Sequence, residues 1–272
     1  VKIEGRKAFS DLLVYFVVPC MIINSYLTEF DDNIFKNILY ALGLSILLLV
    51  VGFAITFLLS FKLKGDNVPI VRFGCMFSNA AYMGFPLIQA IYASAFVTAF
   101  NIFLWTLGYS IVSRTFDLKA IVKKIFTTPA IISVFIGLLI FIAGIPLPDI
   151  ISQPISYAAA INTPLSMFIT GMIIAASPIK NMFNNKLVYF AIIVRMFIIP
   201  VVCIVIFKIF NISGMVADVV IILEACPCAS ISSVFAVQFG YDEDVAAAMV
   251  VLTTFISIIT LPAVALIITT LI

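Results

Sequence analysis

Nine apolar segments take up nearly all of this chain, over residues 9–27, 37–60, 71–92, 94–113, 129–147, 154–176, 187–207, 215–238 and 245–271. Each has roughly the 20 residues that an α-helix needs to cross a bilayer, and none alternates apolar and polar as a half-buried strand would. Inside lipid every backbone polar group must be satisfied within its own segment, so the segments read as helices. With 64% apolar and 10% charged residues, the chain lies far from the half-apolar, quarter-charged balance of water-soluble domains. The excess runs from end to end, which excludes a soluble globular protein and leaves no room for a domain outside the membrane. A formal net charge of +2 offers nucleic acid no footprint. The absence of histidine removes Ser-His and Cys-His catalysis and all His metal sites. All five cysteines lie in apolar stretches, which argues against a disulfide framework.

If every segment crosses, the loops alternate sides. One side then receives Lys2, Arg6, Lys7, Lys62, Lys64, Arg72, Arg114, Lys119, Lys123, Lys124, Lys180 and Lys186, and the other only Lys36 and Lys208. This asymmetry places the lysine-rich loops and the first residue in the cytoplasm and the last residue outside. Residues 114–128 differ from the spans. Their lysines alternate with Leu118, Ile121, Val122, Ile125 and Phe126, the pattern of a basic amphipathic helix lying on the membrane surface.

The two halves resemble each other. Val18-Pro19 in the first span answers Thr163-Pro164 in the sixth, and Ile38-Leu39-Tyr40 answers Leu187-Val188-Tyr189. The third span is interrupted at Gly84 and Pro86, the eighth at Pro227 and Ser230. Val97-Thr98-Ala99 answers Val245-Ala246-Ala247. Matched positions lie about 145–149 residues apart. The expected plan is a first repeat over 1–113, the amphipathic linker 114–128, and a second repeat over 129–272. A unit of five helices inserts upside down relative to its copy, the inverted plan of secondary transporters. The second unit has one span more than the first, and the chain opens on Val1 rather than Met. The plan therefore expects a further helix upstream.

The third and eighth spans carry the chemistry. Ser78, Asn79, Ala80, Gly84 and Pro86 in one, and Pro227 and Ser230 in the other, bring small, polar and helix-breaking residues to mid-span. Proline lacks an N–H and clashes with the preceding turn, and backbone freed at such a break can face a solute or an ion. Glu224 lies about nine residues into its span, about 13 Å deep at 1.5 Å per residue. Arg195 reaches similar depth from the other face. Ionised groups there cost about 2.5–3.5 kcal/mol on insertion scales, so each needs a partner or a task. Two readings stay open: a buried ion pair, or Glu224 as a proton or sodium site with Arg195 attracting a carboxylate. Among the remaining intramembrane polar groups, which include Asn24, Gln89, Asn101, Trp105 and Gln238, Asn162-Thr163 stands out beside the matched Pro164. Cys226-Pro227-Cys228 has the look of a soft-metal pump motif, but no nucleotide domain accompanies it. Asp242-Glu243-Asp244 reads as a loop capping the last helix. There is no P-loop and no Gly-x-Gly-Asp, so an intramembrane enzyme has little support.

These motifs, in this order, resemble the auxin efflux carrier family over essentially the whole chain, and its bacterial malate-permease-type members more than the plant exporters. The resemblance rests on Leu12–Met21 with its proline, on Ser78–Leu87, on Thr163-Pro164-Leu165-Ser166-Met167, on Arg195 followed by Pro200, and on the run from Glu224 through Pro227 to Leu261-Pro262. It implies an all-α polytopic membrane protein of ten helices in two inverted five-helix repeats, nine of them present here, with crossed broken helices. Sodium–bile-acid symporters share that architecture, and Ser78, Asn79 and Glu224 resemble their sodium-binding set.

The expected function is secondary transport of a small organic anion, such as malate or another carboxylate, across the cytoplasmic membrane by alternating access. Asn79, Ala80, Gly84, Pro86, Asn162, Thr163, Arg195, Pro227 and Ser230 are the expected substrate residues. Ser78, Asn79 and Glu224 are the expected coupling-ion residues, with sodium or a proton as the ion and no organic cofactor. A scaffold of the first, second, sixth and seventh spans would stand against the crossing pair and its flanking helices. The expected partners are the lipid bilayer and the anion, with a homodimer left open. A cation-coupled carrier of a neutral or amphipathic solute is the alternative, followed by an intramembrane enzyme or a membrane sensor.

Overall fold

A computed structural model describes residues 3–84, 91–115, 119, 122–123, 127–176, 183 and 185–271. Pro86, Gln89, Lys124, Lys180 and most of the amphipathic linker lie outside these residues. The described residues form helices joined by short loops. α1 (residues 3–25) continues through a π-helical segment, Leu13–Val17, into Val18–Ser25. α2 is Asp32–Ser60 and α3 is Val68–Met76. A π-helical turn, Ala80–Gly84, follows α3. α4 (residues 91–113) carries a second π segment at Leu104–Gly108. Then come α5 (Pro129–Ala143), α6 (Asp149–Ala160) and α7 (Asn162–Ala176). α8 (Lys186–Ile209) has its own π segment, Val194–Ile198. α9 (Met215–Glu224), α10 (Ile231–Phe239) and α11 (Glu243–Leu271) complete the chain.

Five of these helices are long and apolar enough to cross a membrane unaided: Ala8–Ser25 of α1, α2, Tyr92–Ser113 of α4, α8, and Glu243–Thr270 of α11. The remaining expected spans are made differently. α5 is an apolar helix shorter than 18 residues. The sixth span is divided at Ile161 into α6 and α7. The eighth is broken at mid-length around Pro227, as expected. The third breaks at Phe77–Asn79, ahead of the expected interruption, with Gly84 inside a π-helical turn and Pro86 outside the described residues.

Local chemistry accounts for the ends. Asp31 caps α2 by accepting from the amides of Asn33 at 2.8 Å and Ile34 at 3.0 Å. Asp242 caps α11 through the amides of Asp244 and Val245, so the acidic triplet is the helix cap that its sequence suggests. Gly240 ends α10 at φ 70°, a conformation that costs glycine nothing. The π segments of α1 and α8 run up to within two residues of Pro19 and Pro200. A widened turn there absorbs the clash between a proline ring and the carbonyl four residues earlier.

Loops assigned to one side by alternation meet at one end of the bundle. Arg72 donates to the Ser60 hydroxyl at 2.8 Å, Arg114 to the Asp66 carbonyl at 3.0 Å, and the Tyr241 hydroxyl to the Val112 carbonyl at 2.6 Å. At the other end Ser25 and Ser94 share a hydrogen bond of 2.6 Å.

The helices pack in two groups. α1 packs on α5 and α6, while α2, α3, α8, α9 and α11 pack on one another around the two breaks. α4 lies on α2 and α9 and touches α5. This corrects the expected scaffold. The first span and α6 do belong together, and the fifth joins them, whereas α7, the larger part of the sixth span, packs both on α1 and on α11 and the turn after α3. The second and seventh spans, α2 and α8, instead lie against the broken helices. The reason is local: Gly52 brings α2 so close to α9 that a Cβ there would stand 3.4 Å from the Glu224 carboxylate, and α8 delivers Arg195 to the breaks.

Candidate functional site: the crossing and its cavity

α3 stops at Met76 because Phe77 turns extended, with φ −106° and ψ 120°. α9 stops at Glu224, and the chain stays non-helical as far as Ser230. The two extended stretches meet. Ser78 and Cys228 form an antiparallel bridge. The Asn79 amide donates to the Pro227 carbonyl at 2.7 Å and the Ala229 amide to the Phe77 carbonyl at 2.9 Å. Two interrupted helices thus satisfy each other's main chain, as a buried break requires. The Cys228 amide finds the Thr253 hydroxyl of α11 at 3.1 Å.

Each break leaves a helix C-terminus on one side and a helix start on the other. The C-termini point to Arg195. Its Nε donates to the Cys226 carbonyl at 3.0 Å, and Nη1 donates to Glu224 Oε1 at 2.9 Å and to the carbonyls of Cys75 and Met76 at 3.3 and 3.4 Å. Nη2 donates to the Glu224 carbonyl. Arg195 and Glu224 are both wholly buried. Their side chains form an ion pair, and the guanidinium also caps the negative ends of two helix dipoles. Of the two readings open in the sequence, the structure builds the ion pair. Glu224 Oε2 is buried with no hydrogen-bond partner among the described residues.

The helix starts face a cavity of about 260 Å³. Ser78 and Asn79 line it just ahead of Ala80–Gly84, and Ala229, Ser230 and Ile231 line it at the start of α10. Asn79 Nδ2 donates to Ser230 Oγ at 3.0 Å. Asn79 Oδ1 and Ser78 Oγ are buried without partners among the described residues. The opposite wall is apolar and comes from Val14, Tyr15 and Val18 of α1 and Pro129 and Ala130 of α5, with Thr127 and Thr128 beside them. α4 supplies Phe100, Asn101 and Trp105. The cavity therefore lies between the two helix groups, with the crossing as one wall. None of the described lining residues is charged.

Of the expected substrate residues, Asn79 and Ser230 line the cavity and touch each other. Ser78, expected at the ion site, lines it with them. Pro227 takes part through its carbonyl, behind the lining. Ala80, Gly84, Asn162, Thr163 and Arg195 are not among the lining residues. Gly84 is a packing position, since a Cβ there would come within 2.6 Å of Leu223 and 3.1 Å of the Cys226 sulfur. Asn162 is buried in α7, where its carbonyl accepts from the Ser166 hydroxyl at 2.6 Å. Arg195 sits behind the breaks, its guanidinium bonded to carbonyls and to Glu224 rather than facing the cavity. Tyr15, Phe100, Thr127 and Thr128 also line the cavity and are not among the expected residues. Thr127-Thr128-Pro129, a polar pair ahead of a span-opening proline, is the one readable sign of them.

A family model described as membrane transport protein matches residues 1–265. No curated protein matches the chain.

Proposed function

Because this chain belongs to the membrane transport protein family that includes the auxin efflux carriers, we propose that it is a secondary carrier moving a small organic anion, such as malate or another carboxylate, across the cytoplasmic membrane. The observation that carries the proposal is the cavity between the two helix groups, walled at mid-span by the helix starts of the crossing. A helix N-terminus carries partial positive charge. At α10 the amides of Ser232 and Ser233 already bond to the carbonyls of Ala229 and Ser230, at 3.0 and 3.2 Å, so it is the dipole that favours an anion. An anion can be held there without a charged side chain. Asn79 and Ser230 add adjustable polar groups.

A volume of about 260 Å³ falls just below the range of about 300–1,000 Å³ usual for drug-sized ligands, so the solute is small. Rocking of α1, α5 and α6 against the crossing group would open the cavity to each side in turn. The inverted-repeat plan over 1–113 and 129–272, and a cytoplasmic position for the lysine-rich loops, belong to the same proposal. Reconstituted protein should exchange a labelled carboxylate in a saturable manner, with sodium and proton gradients set separately to read the coupling. No saturable flux of any mono- or dicarboxylate would sink the reading.

A second reading, a carrier of a neutral or amphipathic solute, draws on the uncharged lining and on Tyr15, Phe100 and Trp105. Methyl esters competing as well as the free acids would favour it.

A further inference from the structure

The oxygens gathered on Arg195 make a cage that suits a free cation. Four are main-chain carbonyls, from Cys75 and Met76 at the end of α3 and from Glu224 and Cys226 at the end of α9, and the fifth is Glu224 Oε1. Carbonyls at helix C-termini carry the negative end of the dipole, and unwound backbone at such a break is the oxygen set that holds small cations in carriers. Every residue of the cage is buried. The cage already holds one positive charge against one carboxylate. A second cation would leave it with net charge in a low-dielectric interior, where unbalanced charge is costly.

We propose that the Arg195 guanidinium is a resident cation: it fills, on a tether from α8, the cage in which a cation-coupled carrier would load its ion. The chain therefore moves its solute without taking up sodium at Glu224. Removing the side chain turns the cage into a binding site for a small free cation, guanidinium best and sodium second, because only guanidinium reproduces the fork of N–H donors. The transport arm of this inference rests on the carrier reading, whereas the binding arm does not.

The test compares the wild type with Arg195→Ala in detergent and in proteoliposomes. Each is given millimolar guanidinium, methylguanidinium, sodium, or choline, which cannot donate N–H bonds. The wild type should show the same Tm and the same flux in all four, and no saturable binding of radioactive sodium. Arg195→Ala should lose roughly tenfold or more of its flux, since Glu224 is stranded. Guanidinium and methylguanidinium should raise its Tm and restore most of the flux, sodium less, and choline neither. A folded Arg195→Ala whose Tm responds to none of the cations overturns the proposal. So does a wild type with sodium-dependent flux or saturable sodium binding. If the variant is recovered folded only when guanidinium is present during purification, the proposal stands. If it is recovered under neither condition, the wild-type sodium measurements decide. The Tm shift needs no solute, so a variant stabilised by guanidinium in a protein that transports nothing upholds the resident cation and sinks the carrier reading instead.

Discussion

Asn79 and Ser230 stand 151 positions apart and share one hydrogen bond at the cavity wall. Asn79→Ala deletes the amide from both the cavity and that bond. A lost polar contact to an anion is worth about 1.5–3 kcal/mol, so KM for the exchanged carboxylate should rise roughly tenfold to a hundredfold. Asn79→Asp should be worse than Ala, because it sets a negative charge against an anionic solute. Equal KM values for wild type and Asn79→Ala would remove the residue from the site. Thr253 acts differently, through the Cys228 amide that it accepts. Thr253→Val keeps the shape and leaves that buried N–H without a partner, at a cost of about 1–3 kcal/mol. The neighbouring Thr254 hydroxyl bonds to the carbonyl of Val250 on its own helix, so Thr254→Val should lower Tm less. A calorimetric scan of both variants in detergent checks the order. At this scale the sequence was half legible. Polarity and helix-breaking power are properties of single residues, and they pointed to Ser78, Asn79, Pro227 and Ser230. Which cavity or partner a side chain faces is a property of packing. Arg195 therefore read equally well as a lure for substrate and as half of an ion pair.

Among the elements, the break of the eighth span was the most legible, because Pro227 acts locally; that of the third opens at Phe77, ahead of the glycine expected to make it. α4 was less so. Its π segment places Gly108 against the rings that brace the crossing, where a Cβ would come within 2.6 Å of Phe77 and 2.9 Å of Phe73. Phe77 is also the residue whose carbonyl accepts from Ala229. Gly108→Ala should therefore do more than strain packing by about 1–3 kcal/mol. It should push Phe77 and slow exchange, whereas Gly43→Ala, with open space at its Cβ, should leave both Tm and exchange close to wild type. Equal exchange rates for the two variants would uncouple α4 from the crossing. The expected scaffold differs from the packing because all spans are apolar. Hydrophobicity reports that a helix is in the membrane and not which neighbour it has. The close approach at Gly52 and the guanidinium of Arg195 are what tie α2 and α8 to the breaks.

For the whole molecule, membrane class and family were legible from length, composition and motif order, since those are summed over hundreds of residues. Orientation is a property of loop charge, and it yields a test. Single cysteines replacing the exposed Lys62, Lys64 or Thr115 should label only from the cytoplasmic side, and those replacing Thr28, Asp149 or Asn211 only from outside. Labelling of Lys62→Cys from outside would reverse the proposed topology. The bridge between Ser78 and Cys228 bears on how such a molecule can diversify. Its bonds run from amide to carbonyl and make no use of side chains. The bridge itself therefore does not depend on the side chains of the residues that form it, and substitutions beside it can retune what the cavity accepts while the two breaks stay fastened. Replacing the Asn79 or Ala229 peptide link by an ester would strike the joint itself, an alteration that no codon can specify.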